Sequence, residues 1–123
     1  MNKLHRSLFL TELKTAFPQL RSDLNQEQGL LHLETDVFMR FVQTLIDSGD
    51  KDTLAVALQI ADKFLRNGDA KVVNALTVSF LEHLNFEDGK APRRWAWECM
   101  PAALKEQYQA IKEYDEGLMR RRK

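Results

Sequence analysis

The chain predicts an all-α fold of five to seven antiparallel helices, arranged as a HEAT-like helical repeat or as a compact bundle. Three observations lead there. Apolar residues recur at i, i+3, i+4 and i+7 in several consecutive segments. Two Gly-Asp turns, Gly49-Asp50 and Gly68-Asp69, lie 19 residues apart, each between two such segments. The composition, 44% apolar and 29% charged over 123 residues, is that of one folded domain spanning residues 1–123.

The first helix is expected over Leu4–Phe17, with Leu4, Leu8, Leu13 and Phe17 inward and Phe9 and Ala16 beside them. Pro18 disfavours helical geometry at Phe17 and ends or bends the helix there. A short helix resumes at Gln19 towards Gln28, with Leu20 and Leu24 inward, and Gly29 stops it. Residues 30–33 read either as an extended link or as a lead-in to the next helix. That helix covers about 36–48, with Thr35 as its N-cap and Asp36 in its first turn. Its stripe is Phe38, Phe41, Val42 and Leu45, widened by Val37 and Ile46.

The helix over about 51–67 carries Leu54, Ala57, Leu58, Ala61, Phe64 and Leu65. The one over about 70–85 carries Val73, Leu76, Phe80 and Leu84, flanked by Val72 and Leu81. In each Gly-Asp turn the glycine is expected to close one helix in the left-handed conformation. The aspartate then caps the free amides of the next. Aligning Gly49 on Gly68 pairs Ile46 with Leu65, Leu54 with Val73 and Asp50 with Asp69, as in one repeated helix-and-turn unit. Residues 86–92 have the composition of a surface loop. Pro101 suits the start of a last helix to about Met119, with Leu104, Tyr108, Ile111 and Leu118 inward.

No catalytic, cofactor or metal centre assembles from the sequence. His5, His32 and His83 fall in three separate elements, and none pairs with a histidine or cysteine at metal-binding spacing. His83 reads as a boundary residue beside the stripe of its helix. Cys99, flanked by Glu98 and Met100, lacks the positive surroundings of a reactive thiolate and is expected to be a buried structural cysteine. No phosphate-binding glycine loop is present. Asp50 with Asp52 opens a helix, where acidic side chains suit the dipole. Glu87 with Asp88 sits in the loop.

Formal charge is zero, which gives no general case for nucleic acid or membrane. The distribution is uneven. Residues 41–90 hold five Lys/Arg against eight Asp/Glu, net −3, and residues 91–123 hold eight against five, net +3. No apolar run approaches the ~20 residues that span a bilayer, and the first residues do not read as a signal peptide. A single cysteine excludes an internal disulfide and fits a reducing, cytoplasmic setting.

The residues best suited to recognition are Arg93, Arg94, Trp95 and Trp97, because arginine and tryptophan are enriched at binding hot spots. They adjoin the acidic pair Glu87 and Asp88. A second candidate surface is the acidic turn formed by Asp47, Asp50 and Asp52. Trp95 and Trp97 diverge by ~200° on a helix, so at most one of them is expected to plug the core, leaving the other for an interface.

The block from Phe41 to Leu84, with Phe17-Pro18-Gln19-Leu20 upstream and Met100-Pro101-Ala102-Ala103-Leu104 downstream, resembles a family of small bacterial all-helical proteins of uncharacterised-domain type. The resemblance rests on Asn74, Ala75, Thr77, Val78, Phe80, Leu81, Glu82 and Leu84 and covers about residues 17–118. It implies association with polymorphic toxin loci, and so a cytoplasmic immunity protein that binds a cognate toxin domain and covers its active surface. It carries no catalytic residue and no cofactor. A non-catalytic helical adaptor in a bacterial complex is the alternative expectation. The oligomeric state stays open.

Overall fold

Four phenylalanines from four helical segments meet at the centre of the molecule, and the helices are arranged around them. The computed structural model describes residues 3–27, 29–86 and 94–121; for Arg94 and residues 115–121 it describes the backbone alone. Helices α1 (Arg6–Ala16), α2 (Arg21–Gln26), α3 (Leu31–Ser48) and α4 (Lys51–Asn67) are followed by α5 (Ala70–Ala75). The path of α5 continues through a wide π-type turn, Leu76–Phe80, and a tight 3₁₀ turn, Leu81–His83. Helices α6 (Arg94–Glu98) and α7 (Ala102–Arg121) complete the chain. Among the described residues there is no strand, and no helix is long and apolar enough to cross a membrane.

Phe9 of α1, Phe38 of α3, Phe64 of α4 and Phe80 of the π-type turn are fully buried. Phe38 stacks on Phe80 with centroids 4.9 Å apart and planes at 9°. Phe9 meets Phe38 edge-on at 6.0 Å and lies tilted against Phe64 at 5.1 Å. Such offset and edge contacts add to the large apolar area each ring removes from water. The aliphatic core fills in around them with Leu13, Leu24, Leu54, Leu58, Leu76, Leu81 and Leu104.

Between the two architectures left open by the sequence, the packing selects the bundle. In a solenoid each unit meets only its neighbours, whereas here α1 packs on α4 and α5, and α4 packs on α7. The apparent repeat also fails at its apolar positions. Ile46 and Leu54 are buried, but their proposed equivalents Leu65 and Val73 are only half-buried, and Val72 takes the inward position.

The two Gly-Asp turns differ as well. Gly49 has φ +77° and ends α3 in the left-handed conformation, as expected. Gly68 has φ −72° and ψ 159°, an extended backbone, which corrects the expectation of a left-handed cap there. Its lack of a side chain serves another purpose. Leu4 runs alongside in a parallel bridge: its N–H donates to the Asn67 carbonyl at 2.9 Å, and its carbonyl accepts from the Asp69 N–H at 2.8 Å. A Cβ on Gly68 would stand 2.3 Å from the Phe64 carbonyl oxygen and 2.9 Å from Cγ1 of Val72. Gly68→Ala is therefore expected to cost roughly 1–3 kcal/mol by overpacking, with a matching drop in the urea midpoint. Gly49→Ala meets open space and strains only its own backbone.

The aspartates behave as the sequence suggested. Asp50 accepts from the Thr53 N–H at 3.2 Å and Asp69 from the Val72 N–H at 2.9 Å, so each caps its helix.

Two expectations for the first half are corrected, the inward face of α1 and the cap at Thr35, and the alternative left open at residues 30–33 is resolved. Phe9 and Leu10 join Leu13 on the buried face of α1, while Leu8 is 43% exposed and Ala16 lies outside. Helix α3 starts at Leu31, just after Gly29 turns the chain at φ +89°, so residues 31–33 are helical lead-in. Thr35 is not its cap: it lies buried inside the helix, its Oγ1 donating to the Leu31 carbonyl at 2.7 Å.

Helix α3 also carries the most deeply buried charge among the described residues, Glu34, 1% exposed. Arg6 answers it with two parallel bonds, Nε to Oε1 at 2.8 Å and a terminal guanidinium nitrogen to Oε2 at 2.7 Å. The hydrogen bond to Glu34 raises the Arg6 pKa above its ordinary value, against partial desolvation. A raised folded-state value means that Arg6 contributes at every pH below the ordinary arginine range and is lost only above it. Its charge is constant throughout the working range of a protein.

Candidate protein-binding surface

One end of the bundle gathers the segments that the sequence singled out. Lys51, first residue of α4, lies over the Trp95 ring with Nζ 5.6 Å from the centroid. That contact sets the acidic α3–α4 turn beside α6. Asp47, Asp50 and Asp52 are all exposed there. Asp47 accepts from Gln43 Nε2 at 3.2 Å. Asp50 is engaged as the cap of α4 and presents its remaining carboxylate surface to solvent. Asp52, one residue into the first turn, borders a concavity of about 400 Å³ lined by Ala16, Phe17, Gln19, Thr53 and Val56. Val56 is 47% exposed there, an apolar contact next to a carboxylate.

The tryptophans are placed by the inward residues between and after them. Ala96 and Met100 are buried, four residues apart, and point the short α6 into the core. Trp95 and Trp97 flank that line, and both are half-buried. Neither ring is a fully buried core plug, and both are partly covered. Trp97 belongs to a three-ring cluster with Phe86 at 5.5 Å and Tyr108 at 5.4 Å, and those two rings meet at 5.3 Å. Lys105 Nζ lies 5.7 Å from the Trp97 centroid. Trp97 thus ties α6 to α7 and to the segment after the 3₁₀ turn, and Phe86, read from sequence as loop, is part of the packing.

Gln43 holds that segment from the other side, donating to the Asn85 carbonyl at 3.1 Å and accepting from its N–H at 2.9 Å. Neither Phe86 nor Gln43 carried a local signal. The contacts that place them here reach partners 11 to 42 residues away in the chain. Glu87, Asp88 and Arg93 lie outside the described residues, and Arg94 is described only as the first residue of α6.

Elsewhere, the titratable side chains are spread out. Among the described residues no three His, Cys, Asp or Glu side chains come together as a metal site. His5 and His83 are exposed. His32 Nδ1 is 2.8 Å from Ser79 Oγ, joining α3 to the π-type turn. Cys99 is exposed, which corrects the expectation of a buried thiol. Helix α6 ends at Glu98, and the chain turns there so that Met100, not Cys99, enters the core.

Fold and surface together define a small all-α domain with an acidic and aromatic end. The chain belongs to the family described as Domain of unknown function (DUF7674), whose model matches residues 10–115. That description names neither an activity nor a toxin locus. Neither the curated proteins nor the solved structures contain a match to the chain.

Proposed function

We propose that this domain is a non-catalytic binding protein, and that its partner is a cognate bacterial toxin domain whose active surface it covers in the cytoplasm. The observation that carries the binding part is the contact between Lys51 and Trp95, which joins the carboxylates of the α3–α4 turn to the aromatic residues of α6 in one surface. Exposed carboxylates speed and orient encounter with a basic partner, and half-covered aromatic rings supply anchors once it has docked. The toxin as partner rests on the sequence resemblance alone. A helical adaptor would use the same surface, so the adaptor is the second reading.

The experiment is capture of the tagged protein together with the product of the adjacent gene, followed by a growth test. A stoichiometric complex and rescue from that product's toxicity establish neutralisation. A complex without toxicity favours the adaptor, and no complex removes the toxin reading. Asp47→Lys combined with Asp52→Lys should weaken capture about tenfold or more, chiefly through the association rate, and leave the melting temperature within a few degrees. Trp97→Ala is a poor probe of binding because it opens the Phe86–Tyr108 cluster; Trp95→Ala is the better one.

A further inference from the structure

Between α2 and α3 lies an open groove of about 370 Å³ that shares no residue with the surface above. Its α3 side is one helical face. Leu33, Val37 and Phe41 follow each other at four-residue spacing, with Asp36, Arg40 and Thr44 alongside. Leu33 is 45% exposed, and Val37 and Phe41 are half-buried, so this apolar row is incompletely covered. Phe41 is held in place from behind by Phe17, 4.8 Å away. Leu20 of the turn before α2 adds a further apolar contact.

The charge around this row has one sign in excess. Asp36 and Arg40 are bonded to each other one turn apart. The carboxylates of Asp23 and Glu27, which line the α2 side, have no hydrogen-bond or ion-pair partner among the described residues. An apolar row ~12 Å long, the rise of eight helical residues, therefore runs beside two uncompensated carboxylates.

We propose that this groove docks a basic amphipathic helix of another protein, with apolar side chains on the Leu33–Val37–Phe41 row and Lys or Arg opposite Asp23 and Glu27. Apolar side chains at i and i+4 on such a helix match the spacing of the row, which is the helix-in-groove mode of recognition. The carboxylates select against an acidic helix of the same hydrophobicity, since like charges beside a docking site penalise the wrong partner. The inference goes beyond the proposed function. It concerns a different face of the domain and stands whether or not the partner at the α6 end is a toxin.

The test titrates the full chain with a 14-residue helical peptide of leucine and lysine, and with its leucine and glutamate counterpart, following backbone amides by NMR. The lysine peptide should shift amides in residues 20–27 and 33–44, and the glutamate peptide should not. Asp23→Lys with Glu27→Lys should weaken the lysine peptide about tenfold or more, and Leu33→Asn should weaken it several-fold. All three positions are at least partly exposed, so the variants should keep the parent melting temperature. Absence of binding overturns the proposal, as do shifts scattered over every acidic patch or unchanged affinity in the double variant. Shifts at the same amides when the protein alone is concentrated would assign the groove to a second copy and overturn it too. Loss of peptide binding with capture at the α6 end intact would separate the two surfaces.

Discussion

Phe38→Ala should destabilise the domain by about 3–5 kcal/mol, the range for truncating a fully buried aromatic side chain. Phe38 is the middle member of the ring chain, stacked on Phe80 and edge-on to Phe9. Its removal leaves a cavity bounded by α1, α3 and the π-type turn, three elements already fixed by other contacts. They cannot all collapse inward together, so the cavity contribution stays. Urea unfolding monitored by circular dichroism should show a lower midpoint with an unchanged slope. Phe38→Leu retains much of the volume and should recover more than half of the loss. A cost below about 1 kcal/mol for the alanine variant would mean that Phe38 is not central to the packing.

Arg6→Ala is the second large effect, at about 2–4 kcal/mol. Removing one partner of a buried pair usually costs more, but Arg6 is 36% exposed and water admitted at its place offsets part of the loss. The penalty comes from Glu34, left as an unanswered charge inside the bundle. A further measurement isolates that cause. Arg6→Met with Glu34→Leu should be more stable than Arg6→Ala alone, because replacing both partners by apolar groups removes the buried charge. If the double variant is no better than the single one, the cost lies in lost packing of the Arg6 stem.

The sequence was most informative where structure depends on near neighbours. Helix α4 runs from Lys51 to Asn67 as its periodicity indicates, and Asp50 and Asp69 cap their helices because a cap acts within three residues. Where a local signal had two uses, it misled. Thr35 is a good N-cap residue, but it is also able to bond back one turn inside a helix, and the pairing of its neighbour Glu34 with Arg6, 28 residues away, draws that turn into α3. Gly68 has the chain context of a left-handed cap, and only the passage of Leu4 beside it explains its extended backbone. On α1 the buried face is rotated from Leu8 to Phe9 by the demands of Phe38 and Phe64, which no window on α1 contains.

The candidate surface was legible in part for the same reason. Trp95, Trp97 and the three aspartates stood out by residue type. That Lys51 joins them, and that Trp97 is held by Phe86 and Tyr108, follows from how α4, α6 and α7 meet. The groove between α2 and α3 had no signature in the sequence, since its apolar row is the outer flank of a stripe whose inner residues form the core.

The bridge between Leu4 and the α4–α5 turn has a consequence for how the chain matures on the ribosome. Several partners that anchor α1 at depth lie well downstream: Glu34 and Phe38 in α3, Phe64 in α4, and the backbone on either side of Gly68. Helix α1 is made before them all, and its contacts with α4 and with the turn at Gly68 close only after α3 and α4 have been synthesised. Closing that long loop is entropically slow compared with joining α3 to α4 through a two-residue turn. The α3–α4 pair is thus expected to assemble ahead of the contacts between α1 and α4, with the Leu4 bridge closing late. Until that closure the apolar face of α1 is incompletely covered.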